Sequence, residues 1–299
     1  MGSDLILESK VVKSNTLTEA SYRLNIWEQR TVAYLISLIS KKDKDFKTYE
    51  IEIKNLYGLS DSNHKDPYYQ VKKLTRALLS KVLEIPTPEG VLQVTWLSSA
   101  RYRDGEGIVE LCFDPQLKPY LVNLKDRFTA YAIKNITKLK SRYSVRIYEL
   151  LKQYQKLGKR SFDIHELRQL LGLKPSEYST WFDFKRRVLT PAEKELPQKT
   201  DICFSYTTSK RGRSISHVTF SIWSKKEGSK TLKSTNTRKR EAPKKEVKGG
   251  LTEEQRREQH AKNQALMAKL KPGRSSTSSS FSAISDVLEN QLPLPGTDN

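Results

Sequence analysis

Cysteine is almost missing from this chain: Cys112 and Cys203 are the two among 299 residues. They sit in separate strand-like runs with no CxxC pair. That reads as small, half-buried residues of a reducing compartment and excludes a disulfide scaffold. Histidine is equally scarce. His64, His165, His217 and His260 are far apart, so no local zinc site and no metal are expected. No apolar run approaches the ~20 residues that span a bilayer. No GxxxxGK[ST] loop occurs, so ATP-driven activity is not expected, and "RDGEG" (residues 103–107) is too short and acidic to cradle phosphates. The start, "MGSDLILESK", lacks the basic, apolar and small-residue segments of a secretory signal, and Ile6 breaks the myristoylation pattern. Negative charge is the last shortage. Against 54 Lys and Arg stand 34 Asp and Glu, a net of +20. A cytoplasmic protein with a polyanionic partner, no cofactor and no membrane contact is expected.

The length suits about two domains. After a polar leader, "NIWEQRTVAYLISLI" has Asn25 and Glu28 at capping-box spacing, then an apolar face of Val32, Leu35, Ile36 and Ile39. "TYEIEI" alternates as a strand through Tyr49, Ile51 and Ile53, and "KNLYGLS" is a helical turn. In "DPYYQVKKLTRALLSKVL", Asp66 is placed to cap and Pro67 to open a helix whose apolar side is Val71, Leu74, Leu78 and Val82. "VLQVTWL" and "IVELCF" then alternate on either side of a long connection, "SSARYRDGEG", and read as one hairpin.

The same order recurs. "SRYSVRIYELLKQYQKLG" is a helix with Ile147, Leu150, Leu151 and Tyr154 on one face, stopping at Gly158. A short strand "SFDI", a short helix "HELRQLLGLK" and a longer helix "STWFDFKRRVLTPAEKEL" follow. The longer helix puts Trp181, Phe184, Val188 and Ala192 on one side, and Pro191 is expected to kink or shorten it. "ICFSYTT" and "SISHVTFSIW" close the unit as a hairpin around Gly212. Gly58 corresponds to Gly172, "LYGLS" to "LLGLK", and the strand start at 91 to that at 202, so two copies of one unit are expected.

From residue 225 the composition changes to 16 cations, 9 anions, one aromatic (Phe281) and the run "SSTSSS". This tail is expected to be disordered. One stretch, "LTEEQRREQHAKNQALMAKLKPG", has a Thr252/Gln255 capping box and a Pro272-Gly273 stop, as in a marginal helix. "RKREAPKK" reads either as a nucleic-acid arm or as a solvated extension. The first 224 residues still hold 38 cations against 25 anions, a net of +13.

Short helix, turn, longer helix and hairpin is the layout of a winged helix, in which the second helix enters the major groove and the hairpin meets flanking backbone. The expected fold class is α+β, with two tandem winged-helix domains and a disordered basic tail. The expected boundaries are a flexible leader 1–16, domains 17–138 and 139–224, and a tail 225–299. In the second domain Lys185, Arg186, Arg187, Thr190 and Lys194 lie away from the apolar face. The planar fork of Arg suits guanine O6 and N7. Lys210, Arg211 and Arg213 surround Gly212 at the hairpin tip and suit phosphates. The first domain has Lys72, Lys73 and Arg76 on its helix and Arg101 and Arg103 on its hairpin connection, diluted by Asp104 and Glu106. Taken singly, each cation also fits a solvated surface charge; their recurrence in two units favours DNA.

Four blocks, "LTEASYRLNIWEQR", "FTAYAIKNITKLKSRYSVRIYELLKQY", "DFKRRVLTPAEKEL" and "KRGRSISHVTFSI", resemble the bacterial plasmid replication initiators built from two winged-helix domains. The resemblance covers about residues 15–224. It implies binding to directly repeated origin sequences (iterons), recruitment of host initiator and helicase machinery, and self-repression by a dimer on an inverted repeat. It also implies that the helix holding Arg186 and Arg187 reads bases, while the N-terminal domain contacts backbone and supplies the dimer surface. A monomer–dimer switch with its geometry change in segment 125–142 follows from it. An enzyme is not expected: a nicking initiator needs a His-hydrophobic-His metal site as well as a tyrosine, and Tyr68 and Tyr69 are expected to pack at a helix start instead. A winged-helix transcriptional regulator without an initiator role stays open. Near the C-terminus, Gln291, Leu292 and Leu294 resemble the short motif by which bacterial replication proteins dock on the sliding clamp, although Gly296 stands where a further anchor is expected.

Overall fold

The computed structural model describes residues 9–225. The expectations for the tail, including the 251–273 helix and the clamp motif at Gln291, Leu292 and Leu294, lie outside the described residues. In chain order the elements are β1 (Lys10–Ser14), α1 (Asn15–Thr18), α2 (Ile26–Ser37), β2 (Tyr49–Glu52), α3 (Ile53–Gly58), α4 (Pro67–Ser80), β3 (Val82–Thr87), β4 (Gly90–Thr95), β5 (Leu97–Arg103) and β6 (Ile108–Phe113). Then come α5 (Lys118–Leu121), β7 (Phe128–Ala132), α6 (Lys134–Thr137), α7 (Arg142–Gln153), β8 (Lys159–Asp163) and α8 (Ile164–Leu170). Trp181–Phe184, Lys185–Leu189 and Thr190–Lys199 follow without a break as α9, residues 181–199, before the hairpin β9 (Ile202–Arg211) and β10 (Ser214–Ser224). Two three-stranded antiparallel sheets, ordered β2-β6-β5 and β8-β10-β9, belong to the two winged units. None of the described helices is long and apolar enough to cross a membrane.

The helix starts follow from local chemistry. Asn25 Oδ1 accepts from the Glu28 amide at 2.9 Å while Glu28 Oε2 accepts from the Asn25 amide at 2.8 Å, a complete capping box on α2. Asp66 Oδ1 accepts from the Tyr69 amide at 2.9 Å, and Pro67 opens α4. Asp163 caps α8 and Thr180 caps α9 in the same way.

Three expectations are corrected. First, "VLQVTWL" does not pair with "IVELCF". β4 pairs with β3, from Val82↔Thr95 to Thr87↔Gly90, and the partner of β6 is β5. A single residue, Trp96, separates β4 from β5, so period alone does not say where one strand ends. Val82 mimicked a helical position four residues after Leu78, but α4 stops at Ser80 and Val82 is exposed. The β3–β4 hairpin has no counterpart in the second unit, so β5, and not residue 91, corresponds to β9. Second, of the kink or shortening expected at Pro191, the shortening does not occur. In a regular helix its ring would meet the carbonyl four residues back. Here a π turn over Lys185–Leu189 precedes it, and the helix continues to Lys199. Third, the leader is not free from residue 10 onward: β1 pairs antiparallel with β7, with Val11 fully buried. A smaller difference is that Ile53 begins α3 and does not end β2.

The residues that join the two winged units are polar and buried. α7 is enclosed on every side from Tyr143 to Leu151. On it, Glu149 accepts from Lys13 Nζ at 2.6 Å, from the Tyr131 hydroxyl at 2.5 Å and from Arg146 at 2.9 Å. Arg146 also donates to the Tyr22 hydroxyl at 2.6 Å and to the carbonyls of Thr18, Ala20 and Leu170 at 3.0 Å each. One guanidinium thus ties the chain around α1 to the end of α8. Beside it Gly172 adopts φ +65°, and a Cβ there would lie 2.3 Å from the Tyr22 carbonyl oxygen; only glycine allows that approach.

Candidate nucleic-acid interface

In the second unit α9 divides cleanly. Phe184, Val188, Ala192 and Leu196 are buried, as the apolar period requires. Phe182, Lys185, Arg186, Arg187, Thr190 and Lys194 are exposed together. Trp181, expected on the buried side, is half-buried against Phe184 and Tyr206. The π turn falls in the middle of the exposed row, where Lys185, Arg186 and Arg187 follow one another.

The wing is the β9–β10 hairpin. Arg211 pairs with Ser214, which leaves a two-residue turn of Gly212 and Arg213. Gly212 has φ +64° and Arg213 is not left-handed, the requirement of a type II′ turn with glycine first. Lys210, Arg211 and Arg213 are all exposed at this tip. A groove of about 790 Å³ lies between α8, the start of α9 and the wing, lined among others by His165, Arg168, Thr180, Trp181, Lys210 and Arg213. Arg168 is committed to the fold, donating to the carbonyls of Tyr178, Pro175 and Glu177.

Charge on this surface is largely uncompensated. Lys185, Arg187, Lys194, Lys210, Arg211 and Arg213 make no ion pair with any described residue. Arg186 is the exception, held by Asp183 Oδ1 at 2.9 Å. A row of free guanidinium and ammonium groups on a helix, continued by a cationic turn, gathers anions strongly.

The first unit is built differently. Lys72, Lys73 and Arg76 are exposed on α4, with Lys72 Nζ 5.9 Å from the Tyr68 ring centre. Tyr68 packs edge-on against Tyr102, whose hydroxyl lies 2.8 Å from Thr75 Oγ1. Of the two tyrosines expected to pack at the helix start, Tyr68 makes this contact, but both Tyr68 and Tyr69 remain exposed. Arg101 and Arg103 are on strand β5, not on a connection. Arg103 is bound to Glu50 and Glu110 at 2.6 Å each and to Glu106 at 3.4 Å. The hydrogen bonds it donates to Glu110 and then to Glu50 raise its guanidinium pKa above the ordinary value. Arg101 stands 3.9 Å from Glu110. This wing is therefore close to neutral, whereas Lys72, Lys73 and Arg76 of α4 make no ion pair with any described residue.

Two features escaped the sequence reading. Phe182, a large apolar side chain on the cationic face, was hidden because Trp181 and Phe184 on either side account for an aromatic run as core. The Arg146–Glu149 pair was hidden because charges three apart on a helix normally mark a solvated face. Arg142, Arg146, Glu149 and Gln153 share one helical face, so the sequence pattern itself pointed to a solvated stripe that the fold buries.

Comparison with known proteins agrees with this architecture. The family model described as "Initiator Replication protein, WH1" matches residues 10–152, and the one described as "Initiator Rep protein, WH2" matches residues 163–222. A "Replication initiation protein" of Escherichia coli is 26% identical over 229 residues, covering 72% of this chain and 70% of the relative. The "PI protein" of Escherichia coli is 26% identical over 255 residues, covering 73% and 83%. The crystal structure of Pi initiator protein in complex with iteron DNA shares the fold, with a TM-score of 0.58 at 20% identity, over 73% of this chain and 98% of that one. With both winged-helix models matched in order along a chain of two winged units, this protein belongs to the family of two-winged-helix plasmid replication initiators.

Proposed function

We propose that the chain initiates plasmid replication by binding the direct repeats of an origin, with α9 reading bases in the major groove and the β9–β10 wing on the flanking backbone. The observation that carries this is the face of α9, where Lys185, Arg187 and Lys194 stand exposed beside the wing tip at Lys210, Arg211 and Arg213, none of them ion-paired with a described residue. A relative whose structure was solved on iteron DNA shares the fold, which supports iteron DNA as the ligand here. Lys72, Lys73 and Arg76 of α4 hold phosphates in the first unit. Arg101 and Arg103, engaged by carboxylates, contribute little. The reading contains no catalytic step.

The test separates reading from holding. Arg186→Ala or Arg187→Ala should weaken the cognate repeat by ~1–3 kcal/mol, a factor of roughly 5 to 150, and random DNA hardly at all. Lys210→Ala should weaken both alike. Anisotropy titrations on the two DNAs decide it: parallel losses in the α9 variants remove base reading from that helix.

The proposal extends to a monomer on direct repeats, a self-repressing dimer on an inverted repeat, and recruitment of host initiator and helicase machinery. A protomer using both units on one repeat cannot keep that placement in a two-fold dimer. Segment 125–142 lies between the units, and equal stoichiometry per site by sedimentation on direct and inverted repeats would remove the switch. For the sliding clamp, Gln291, Leu292 and Leu294 supply the motif; a peptide of residues 286–299 that retains no clamp ends that part.

A further inference from the structure

Charge does not explain Phe182. It is 68% exposed on a predominantly cationic helix face, beside Asp183, Lys185 and Arg186. It is the second residue of α9, at the end of a recognition helix that meets base edges. Arg186, one turn later, has its guanidinium 5.2 Å from the Phe182 ring centre. The same guanidinium is held by Asp183, and Asp183 Oδ2 accepts from Thr180 Oγ1 at 2.9 Å, the residue that caps the helix. Cap, carboxylate, guanidinium and ring form one chain of contacts, so the pair is set in place before any ligand arrives. An apolar ring so placed meets one apolar feature in the major groove, the 5-methyl group of thymine.

We propose that Phe182 is a specificity-determining residue: its ring packs on a thymine methyl within one or two base steps of the guanine that Arg186 takes. Side chains four apart on a helix are neighbours, as are successive bases along the groove, so the two contacts fall on one short sequence element. The proposal rests on the assignment of α9 as the reading helix. It predicts that part of the sequence preference is apolar and insensitive to salt, unlike the contacts of the wing.

The experiment uses the full chain and its cognate repeat, with each thymine replaced in turn by deoxyuridine, which removes the methyl and leaves base pairing intact. Wild type should lose about three- to tenfold in affinity at one or two thymines, the scale of one buried methyl group. Phe182→Ala should bind the unmodified repeat about tenfold more weakly and be indifferent to uracil at those positions, whereas Phe182→Leu should keep the discrimination. Wild type that tolerates uracil at every position, or Phe182→Ala that shows the wild-type uracil penalty, overturns the role of Phe182 while leaving DNA reading by α9 intact. Wild type that does not bind the unmodified repeat at all overturns the DNA reading itself, and this proposal with it.

Discussion

Glu149→Ala is expected to destabilise the protein by ~3–5 kcal/mol, because it strands two charges inside the fold. Lys13 and Arg146 are 3% and 2% exposed and both end on the Glu149 carboxylate. Burial alone would raise the Glu149 pKa. The charges of Lys13 and Arg146, then the hydrogen bonds from Lys13 and Tyr131, overcome it and hold the group at about 2, below its ordinary 4.5. A carboxylate depressed on folding adds stability that is fully present above the ordinary value and is lost as pH falls through the folded one. Denaturant midpoints should therefore fall in wild type between about pH 4.5 and 2, and Glu149→Gln should flatten that stretch of the curve. Identical pH profiles for the two proteins would show that the carboxylate is not held as described. The same network spans β1, the chain through Tyr22, α7 and the end of α8, so its loss should also loosen the placement of one winged unit against the other.

Binding should depend steeply on salt. If α9, the second wing and α4 together neutralise about 6–10 phosphates, affinity should drop by ~10³–10⁵ between 50 and 200 mM salt as counterions are released. Of the cations named on α9, α4 and the second wing, Arg186 alone has an ion-pair partner among the described residues, Asp183; the others give up no internal partner first. Arg103 is the internal control. Its three carboxylates already neutralise it, so Arg103→Ala should leave the slope of log affinity against log salt unchanged, whereas Arg211→Ala should make it shallower by about one. Equal slopes for all three proteins would place the second wing away from phosphates.

Much of this was legible in the sequence. The caps at Asn25 and Asp66 and the apolar period of α9 are local signals, and local chemistry decided them. The wing was legible because Gly212 sits between two alternating runs and supplies the positive φ that its turn needs. What failed was pairing. Strand β4 alternates like a partner of β6, yet β3 lies closer along the chain and takes it, and periodicity does not choose between neighbours. The order of residues 10–16 was hidden for a related reason: β1 finds its partner, β7, more than a hundred residues away. In the site, residue type foretold which cations face outward on α9, but not that Arg103 is consumed by Glu50, Glu106 and Glu110, because Glu50 comes from another strand. Phe182 was illegible because an aromatic beside Trp181 and Phe184 is indistinguishable from core until the helix phase is fixed.

The central claim is that α9 and its wing sit on repeated origin DNA. A hydroxyl-radical footprint of the full chain on the DNA around its own gene tests it most directly. The account predicts protection recurring at each direct repeat, with backbone protected on both sides of one major-groove face, and loss of that pattern in Arg186→Ala at protein concentrations that still coat random DNA. Protection that is uniform along the DNA, or that survives unchanged in Arg186→Ala, would contradict it.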